Sequence, residues 1–335
     1  MPQIIAEIGS VHDGSFGNAR KLVELAADCG ADVVKFQTHI AEAETLANAP
    51  TPPYFQGEPR LEYFRRIAFT EAQWNELRAV CADMGVTFLS SPFSLEAVDL
   101  LERVGVDAYK IPSGEVTNLP LLEKIAATGK PALLSSGMSN WDELDRAVAA
   151  LKVGGPVTVL QCTSAYPCPP ERVGLNVIDE MKARYGLPVG YSDHTESCAA
   201  AFAAAAMGAT VIEKHLTFSR RMYGSDAANA MEPDGFTAYC SGLREIWAMW
   251  ASPIDKGDIE PFRDMKQIFE KSIVSSRPLK AGETICMADL CFKKPGDGIS
   301  AADYRELIGR VVSKDLPPDH KFSADDFSVL ASVSK

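Results

Sequence analysis

The sequence predicts a (β/α)8 TIM barrel followed by a small, mainly β C-terminal module. Two observations carry this. Eight short β-type runs lie within the first 220 residues, each followed by a helical pattern: Ile4–Gly9, Val33–Thr38, Thr87–Phe93, Ala108–Gly114, Ala132–Gly137, Val157–Ser164, Pro188–His194 and Val211–Thr217. Strands that alternate with helices at this spacing build parallel βαβ units. From Lys271 the pattern changes to short strands and turns, as in Ser272–Ser275, Leu279–Glu283 and Lys293–Gly298. The division expected is therefore a catalytic barrel over 1–250, a linker over 251–270 and a C-terminal domain over 271–335.

The helices announce their ends. Thr70-Glu71-Ala72-Gln73 is a capping box ahead of Trp74, Leu77 and Val80. Ser94 precedes the stripe Leu95, Val98, Leu101, and Asn118 precedes Pro120 at a first-turn position. Gly30, Gly85, Gly105 and Gly129 stand where helices stop before the next strand. Cys198–Met207 is nearly all alanine, a helix slim enough to lie close against the sheet. The segment Ile40 to Phe69 carries Pro50, Pro52, Pro53, Gly57 and Pro59, and its length marks it as a lid or substrate wall. After Thr217, a loop over Phe218–Pro233 leads to a closing helix, Gly235–Trp250.

The 335 residues carry a net charge of −12, which argues against nucleic acid or an acidic membrane surface as partners. Residues 271–335 hold ten Lys/Arg and nine Asp/Glu, so the acidity belongs to the first 270. An anionic substrate would then be held by a few placed cations rather than drawn in by the overall field. No run approaches ~20 apolar residues and no secretory leader is visible. The eight cysteines show no CxxC pair and read as reduced thiols of a cytoplasmic protein.

In a closed barrel the strand C-termini converge on one mouth. His194 and His215 end adjacent runs, so their imidazoles can meet there and hold a divalent ion such as Mn²⁺, Co²⁺ or Zn²⁺. His12 and His39 also fall at or just beyond strand ends. Lys35 and Lys110 end the second and fourth runs within apolar surroundings, where lysine needs a partner. They are either anion captors, helped by Ser91, Ser113 and Ser136, or structural partners of Glu7 or Glu115. A further reading makes Lys110 a Schiff-base nucleophile, which a histidine-bound metal would make redundant. Glu7, Glu115 and Asp226 are carboxylates at or near the mouth whose roles residue type leaves open. With GxGxxG, GxxxxGK[ST] and HExxH all missing, nucleotide binding has no support.

Several motifs resemble those of the sialic acid synthases, which join phosphoenolpyruvate to a six-carbon N-acylamino sugar. They are Ala6-Glu7-Ile8-Gly9 with His12 and Gly14, Gly30 through Thr38, Ser90-Ser91-Pro92-Phe93, Tyr109-Lys110-Ile111 with Ser113-Gly114-Glu115, and Ser135-Ser136-Gly137-Met138. Ser192-Asp193-His194-Thr195 and Glu213-Lys214-His215 continue them, and Lys293 through Ile299 resembles the family's antifreeze-like (SAF-type) domain. The resemblance implies His194 and His215 as ligands of manganese, with magnesium or cobalt as alternatives. It implies Lys35, Lys110, Ser113, Ser135, Ser164 and Ser192 as phosphoenolpyruvate contacts, and Glu7 beside the reacting carbons. Gln37, Glu115, Tyr166, Asp226 and Lys294 match sugar contacts. It further implies a domain-swapped homodimer whose C-terminal domain covers the partner's barrel. Lys294 stands where the synthases for N-acetylmannosamine often have Arg, and Ser164 where some have Asn, so the acceptor is open. Acids of the legionaminic or pseudaminic type, made from 6-deoxy-diamino hexoses, are the alternative. A non-catalytic sugar-binding barrel is the rival from another class, and the intact set of lysines and histidines opposes it.

Overall fold

The computed structural model describes residues 2–50, 57–224 and 226–328. Its contacts divide the chain into two units, Met1–Ser252 and Pro253–Lys335. In the first, eight parallel strands close into a barrel in sequence order: β1 (Gln3–Gly9), β2 (Val33–Thr38), β3 (Thr87–Pro92), β4 (Tyr109–Ile111), β5 (Ala132–Ser135), β6 (Val157–Cys162), β7 (Val189–Asp193) and β8 (Val211–His215). The expected barrel is the one that forms. Several runs stop one to three residues short of their expected ends. Ile111, for instance, is followed by Pro112 and a 3-10 turn over Ser113–Glu115, so the last polar residues of that run stand on loops at the rim.

The helices are α1 (Phe16–Asp28), α2 (Ala41–Glu44), α3 (Arg60–Ile67), α4 (Glu71–Asp83), α5 (Leu95–Val104), α6 (Leu119–Ala127), α7 (Trp141–Lys152), α8 (Asn176–Tyr185), α9 (Ala199–Ala206) and α10 (Pro233–Ala251). The capping box at Thr70 and Gln73 is formed, and Ser94 and Asn118 accept from the N–H groups of Ala97 and Leu121. Of the long segment after β2, Ala41–Glu44 and Arg60–Ile67 are helical rather than loop, because Tyr63, Phe64 and Ile67 give α3 an apolar face to bury. Pro52 and Pro53 lie outside the described residues.

Side chains alternate in and out along each strand. The outward set joins the helices in the main core, for example Ala6, Val34, Phe36, Tyr109, Leu134, Val159, Tyr191 and Ile212. The inward set begins with an apolar ring at the lower end, Ile5, Val33, Leu89, Leu160 and Val211, with Ala108 and Leu133 against it. Two residues further along each strand the same parity gives Glu7, Lys35, Ser91, Lys110, Ser135, Cys162, Ser192 and Glu213, all buried. This polar ring sits on an apolar floor.

The second unit contains α11 (Arg263–Phe269) and the antiparallel pair β9 (Ser272–Ser275) and β10 (Leu290–Lys293). Among the described residues, nine buried side chains, including Ile273, Leu279, Val312, Phe322 and Phe327, form its core. Asp326 ties its last turns together. It is fully buried, accepts from the Ser323 N–H at 2.7 Å and lies 2.9 Å from His320 Nε2 and 2.8 Å from Lys314 Nζ. Burial pushes its carboxyl up, but Lys314, His320 and Ser323 outweigh burial and hold it below the ordinary range. A carboxyl lowered in the folded state contributes stability above about pH 4, and that contribution is lost as the pH falls. Asp326→Ala is expected to cost this unit about 1–3 kcal/mol at neutral pH and much less in acid. Urea unfolding of the full chain at both pH values checks this.

Candidate active site

The polar ring is a charge cluster in a dry place. Lys35 Nζ lies 3.1 Å from Glu7 Oε2 and 3.6 Å from Glu213 Oε1, and Lys110 Nζ donates to Glu213 Oε1 at 2.9 Å. Ser192 Oγ donates to the same Glu213 oxygen at 3.0 Å. Lys35 thus has the expected Glu7 as a partner. Lys110 pairs with Glu213 instead of Glu115, because β4 and β8 face each other across the barrel interior. Glu115 sits on the rim turn and accepts from Asn118 Nδ2 at 2.8 Å.

The carboxyls of the cluster are driven apart. Burial pushes Glu7 up to about 7, with Lys35 pulling the other way and Glu213 adding to the rise. Burial acts on Glu213 too, yet Lys110, Lys35 and Ser192 overcome it and keep it well below the usual carboxylate range. Burial lowers Lys35 and Lys110 alike. For Lys35 the pull of Glu213 and Glu7 prevails and its net shift is upward, whereas Lys110 stays below its ordinary value. Carboxyls set apart in this way are suited to different protonation states at one pH.

Above this ring the strand ends supply the rest. The His194 and His215 ring centroids are 6.1 Å apart, and the Tyr166 ring lies 4.1 Å from that of His194. His194 Nδ1 is 2.9 Å from the Thr163 carbonyl, so Nε2 is the ring nitrogen left for another partner. His215 Nδ1 is buried without a hydrogen-bond partner, and burial holds this imidazole below its usual range. Two neighbouring imidazoles, one with an orphaned nitrogen, fit a divalent cation whose remaining ligands are water or substrate. Among the described residues, no cluster of three or more His, Cys, Asp or Glu side chains offers a metal a complete protein cage.

Gly9 and Gly137 mark the two sides of the mouth. At Gly9 (φ +52°) an added Cβ would lie 2.4 Å from Asp226 Oδ2 and 3.3 Å from Gln37 Nε2 and from Glu7 Oε1. Three predicted residues therefore converge there. Asp226 is fixed by the N–H and hydroxyl of Ser10 at 2.8 and 2.9 Å, and Gln37 Nε2 donates to Glu7 Oε1 at 2.8 Å. At Gly137 a Cβ would meet Ser164 Oγ at 2.4 Å, Ser113 Oγ at 2.6 Å and Cys162 Sγ at 3.1 Å. This is a cradle of small polar groups, with Ser135 Oγ buried and lacking a hydrogen-bond partner. Glu115 lies on the α3 side of the mouth, where Arg60, Glu44 and His39 influence it. Lys294 belongs to the second unit, its ammonium 4.9 Å from the Phe269 ring centroid.

Glu213, Cys162 and Gly137 also belong to the site, though the sequence motifs assign them no role. Glu213 was legible. It breaks the apolar run Val211-Ile212 at the inward parity shared with His215. Cys162 and Gly137 carry no such signal.

Residues 22–255 match the NeuB family and residues 270–328 the SAF domain. The chain is 38% identical over 325 residues to the N,N'-diacetyllegionaminic acid synthase of Campylobacter jejuni, covering 94% of this chain and 97% of that protein. It is 33% identical over 317 residues to the N-acetylneuraminate-9-phosphate synthase of Homo sapiens, covering 92% and 88%. The solved N-acetylneuraminic acid (sialic acid) synthetase of Leptospira borgpetersenii is 27% identical and superposes with a TM-score of 0.71 over 79% of this chain and 90% of that one. With the NeuB model matched over residues 22–255 and synthases at 38% and 33% identity over nearly the whole chain, the chain is an enzyme and belongs to the NeuB family.

Proposed function

We propose that the protein condenses phosphoenolpyruvate with the open-chain form of an N-acylamino hexose and water, releasing phosphate and a nine-carbon 2-keto acid. The observation that supports it most is the buried ring with Lys35 and Lys110 beneath two imidazoles. In this reading the lysines, with Ser113, Ser135, Ser164 and Ser192, hold the carboxylate and phosphate of phosphoenolpyruvate. Gln37, Glu115, Tyr166 and Asp226 hold the sugar. His194 and His215 would hold a divalent cation, manganese first and magnesium or cobalt as alternatives, which polarises the aldehyde oxygen when bound.

The remaining steps fall to the chain's own residues. The lysines orient the enol so that its C3 bonds to the aldehyde carbon. Water then adds to C2, and Glu7, near neutral in its tendency to hold a proton, takes the proton from that water. Glu7 passes that proton to the alkoxide left on the former aldehyde carbon, and the hemiketal phosphate breaks its C2–O bond, its hydroxyl proton leaving with the phosphate and a ketone remaining. Gly137→Ala places a methyl group against Ser113 and Ser164 and is expected to raise the KM for phosphoenolpyruvate about 10–100-fold, with acceptor KM little changed. Steady-state kinetics with each substrate varied checks it.

For the acceptor, N-acetylmannosamine and the 6-deoxy-diamino hexoses that lead to legionaminic- or pseudaminic-type acids are both carried. The 38% identity to a diacetyllegionaminic acid synthase favours the second group. Product mass from phosphoenolpyruvate plus a panel of amino sugars separates them. No condensation with any panel member defeats the proposal. We further propose a homodimer whose C-terminal domain brings Lys294 to the partner's mouth. Its support is a row of apolar side chains before β9, Ile254, Ile259, Phe262, Met265, Ile268 and Phe269, each more than half exposed. Light scattering that gives a monomer at working concentration removes this assembly. No described helix is long and apolar enough to cross a membrane.

A further inference from the structure

His39 takes no part in the scheme above, yet it is built into the site. It lies one residue beyond β2, buried, with its ring stacked on Phe64 at 3.9 Å and on Phe93 at 4.2 Å, both at 19°. Nδ1 is 2.8 Å from Glu44 Oε1 and Nε2 is 3.2 Å from Gln37 Oε1. Gln37 in turn donates Nε2 to Glu7 Oε1 at 2.8 Å. Four side chains thus form a continuous line, Glu44–His39–Gln37–Glu7, from the end of α2 to the buried ring.

Counting donors fixes its polarity. Gln37 donates its NH2 to Glu7 Oε1, which leaves its oxygen, an acceptor only, facing His39 Nε2. The Glu44 carboxylate also only accepts. With a carboxylate oxygen at Nδ1 and an amide oxygen at Nε2, both nitrogens of His39 face acceptors, the setting of an imidazolium beside Glu44. The other charged or titratable groups that act around it are Glu115, Arg60 and His12, and burial holds His12 neutral, down to about 4. Two carboxylates against one guanidinium suit a cation at His39.

We propose that His39 is a positioning residue. Clamped between Phe64 and Phe93 and charged against Glu44, it fixes the amide of Gln37 with its NH2 facing Glu7, and so keeps the Glu7 carboxylate aimed at the reacting carbons. Without it only the bond to Glu7 orients the amide, and the flipped form, which sets the amide oxygen against Glu7, becomes easier to reach. What Glu7 does chemically rests on the synthase reading, whereas the line itself rests on the hydrogen bonds alone.

The experiment has two parts. Nitrogen-labelled histidine NMR of the full-length wild type near neutral pH is expected to show His39, assigned by its loss in His39→Phe, with both ring nitrogens protonated. In turnover, His39→Phe keeps the stack but loses both hydrogen bonds. It is expected to lower kcat about 10–100-fold, with KM for phosphoenolpyruvate nearly unchanged. A merely structural role would add its loss to that of Gln37→Met. A role through Gln37 leaves the double variant no slower than Gln37→Met alone. A neutral His39 in the spectrum, full turnover by His39→Phe, or additive losses in the cycle overturns the inference. A wild type that makes no keto acid overturns the proposed function instead, and the spectrum then still decides the line of hydrogen bonds.

Discussion

Lys110→Met is expected to reduce kcat/KM for phosphoenolpyruvate by on the order of 10²–10³-fold, the usual loss when a preorganised donor to a charged reactant is removed from a dry site. Lys110 is 2% exposed and donates to Glu213 Oε1, the same oxygen that Lys35 approaches at 3.6 Å. Methionine keeps most of the unbranched side chain and removes the ammonium with its donors. The loss should fall mainly on the phosphoenolpyruvate terms, because the sugar contacts lie higher in the mouth. Stability will fall too, since breaking a buried pair costs about 3–5 kcal/mol. Thermal unfolding therefore has to accompany the kinetics, with rates taken well below the lowered midpoint. Glu213→Gln is the companion variant, because it removes the same pair from the acidic side while sparing both ammonium groups. The alternative role for Lys110, a Schiff base, predicts a borohydride-trapped adduct with a carbonyl substrate. No adduct is expected. A Lys110→Met enzyme within about threefold of wild type in kcat/KM would remove this lysine from anion binding.

The second large effect concerns the imidazoles. His215→Ala is expected to abolish high-affinity Mn²⁺ binding and to lower turnover by roughly 10³-fold, because a polarising cation contributes several kcal/mol to a carbonyl addition. The orphaned, buried Nδ1 of His215 and the neighbouring ring of His194 make the site two-sided, so His194→Ala should behave alike. Calorimetric titration of EDTA-dialysed wild type with Mn²⁺ reads the binding directly, and readdition of the ion should restore the rate. Dialysed enzyme that keeps its full rate and takes up no Mn²⁺ would refute this role.

Much of this was legible in the chain because barrel chemistry follows strand parity. Lys35 and Lys110 stood out as charges inside apolar runs, and His194 and His215 as polar ends of neighbouring strands. Partnership across the interior was not legible. Lys110 and Glu213 are 103 residues apart, and the strand-to-neighbour order of a barrel tells which strands touch, not which side chains meet over the centre. Glu115, nearer in sequence, was the natural but wrong partner. The helix Arg60–Ile67 was hidden by the prolines before it, although Phe64 and Ile67 already had helical spacing. Gly137 shows its purpose only when the Oγ atoms of Ser113 and Ser164 are in place around it. Nothing local in Ser-Ser-Gly-Met announces a cradle assembled from three strand ends.

The hydrocarbon plug made by Ile5, Val33, Leu89, Leu160 and Val211 has a kinetic corollary. It stops the tunnel from below, so both reactants and both products share a single doorway. On the assignments proposed here the small phosphate ester occupies the deeper berth and the sugar the outer one. Loading must then be sequential, ester ahead of sugar, and a sugar that arrives early becomes a stopper in its own enzyme.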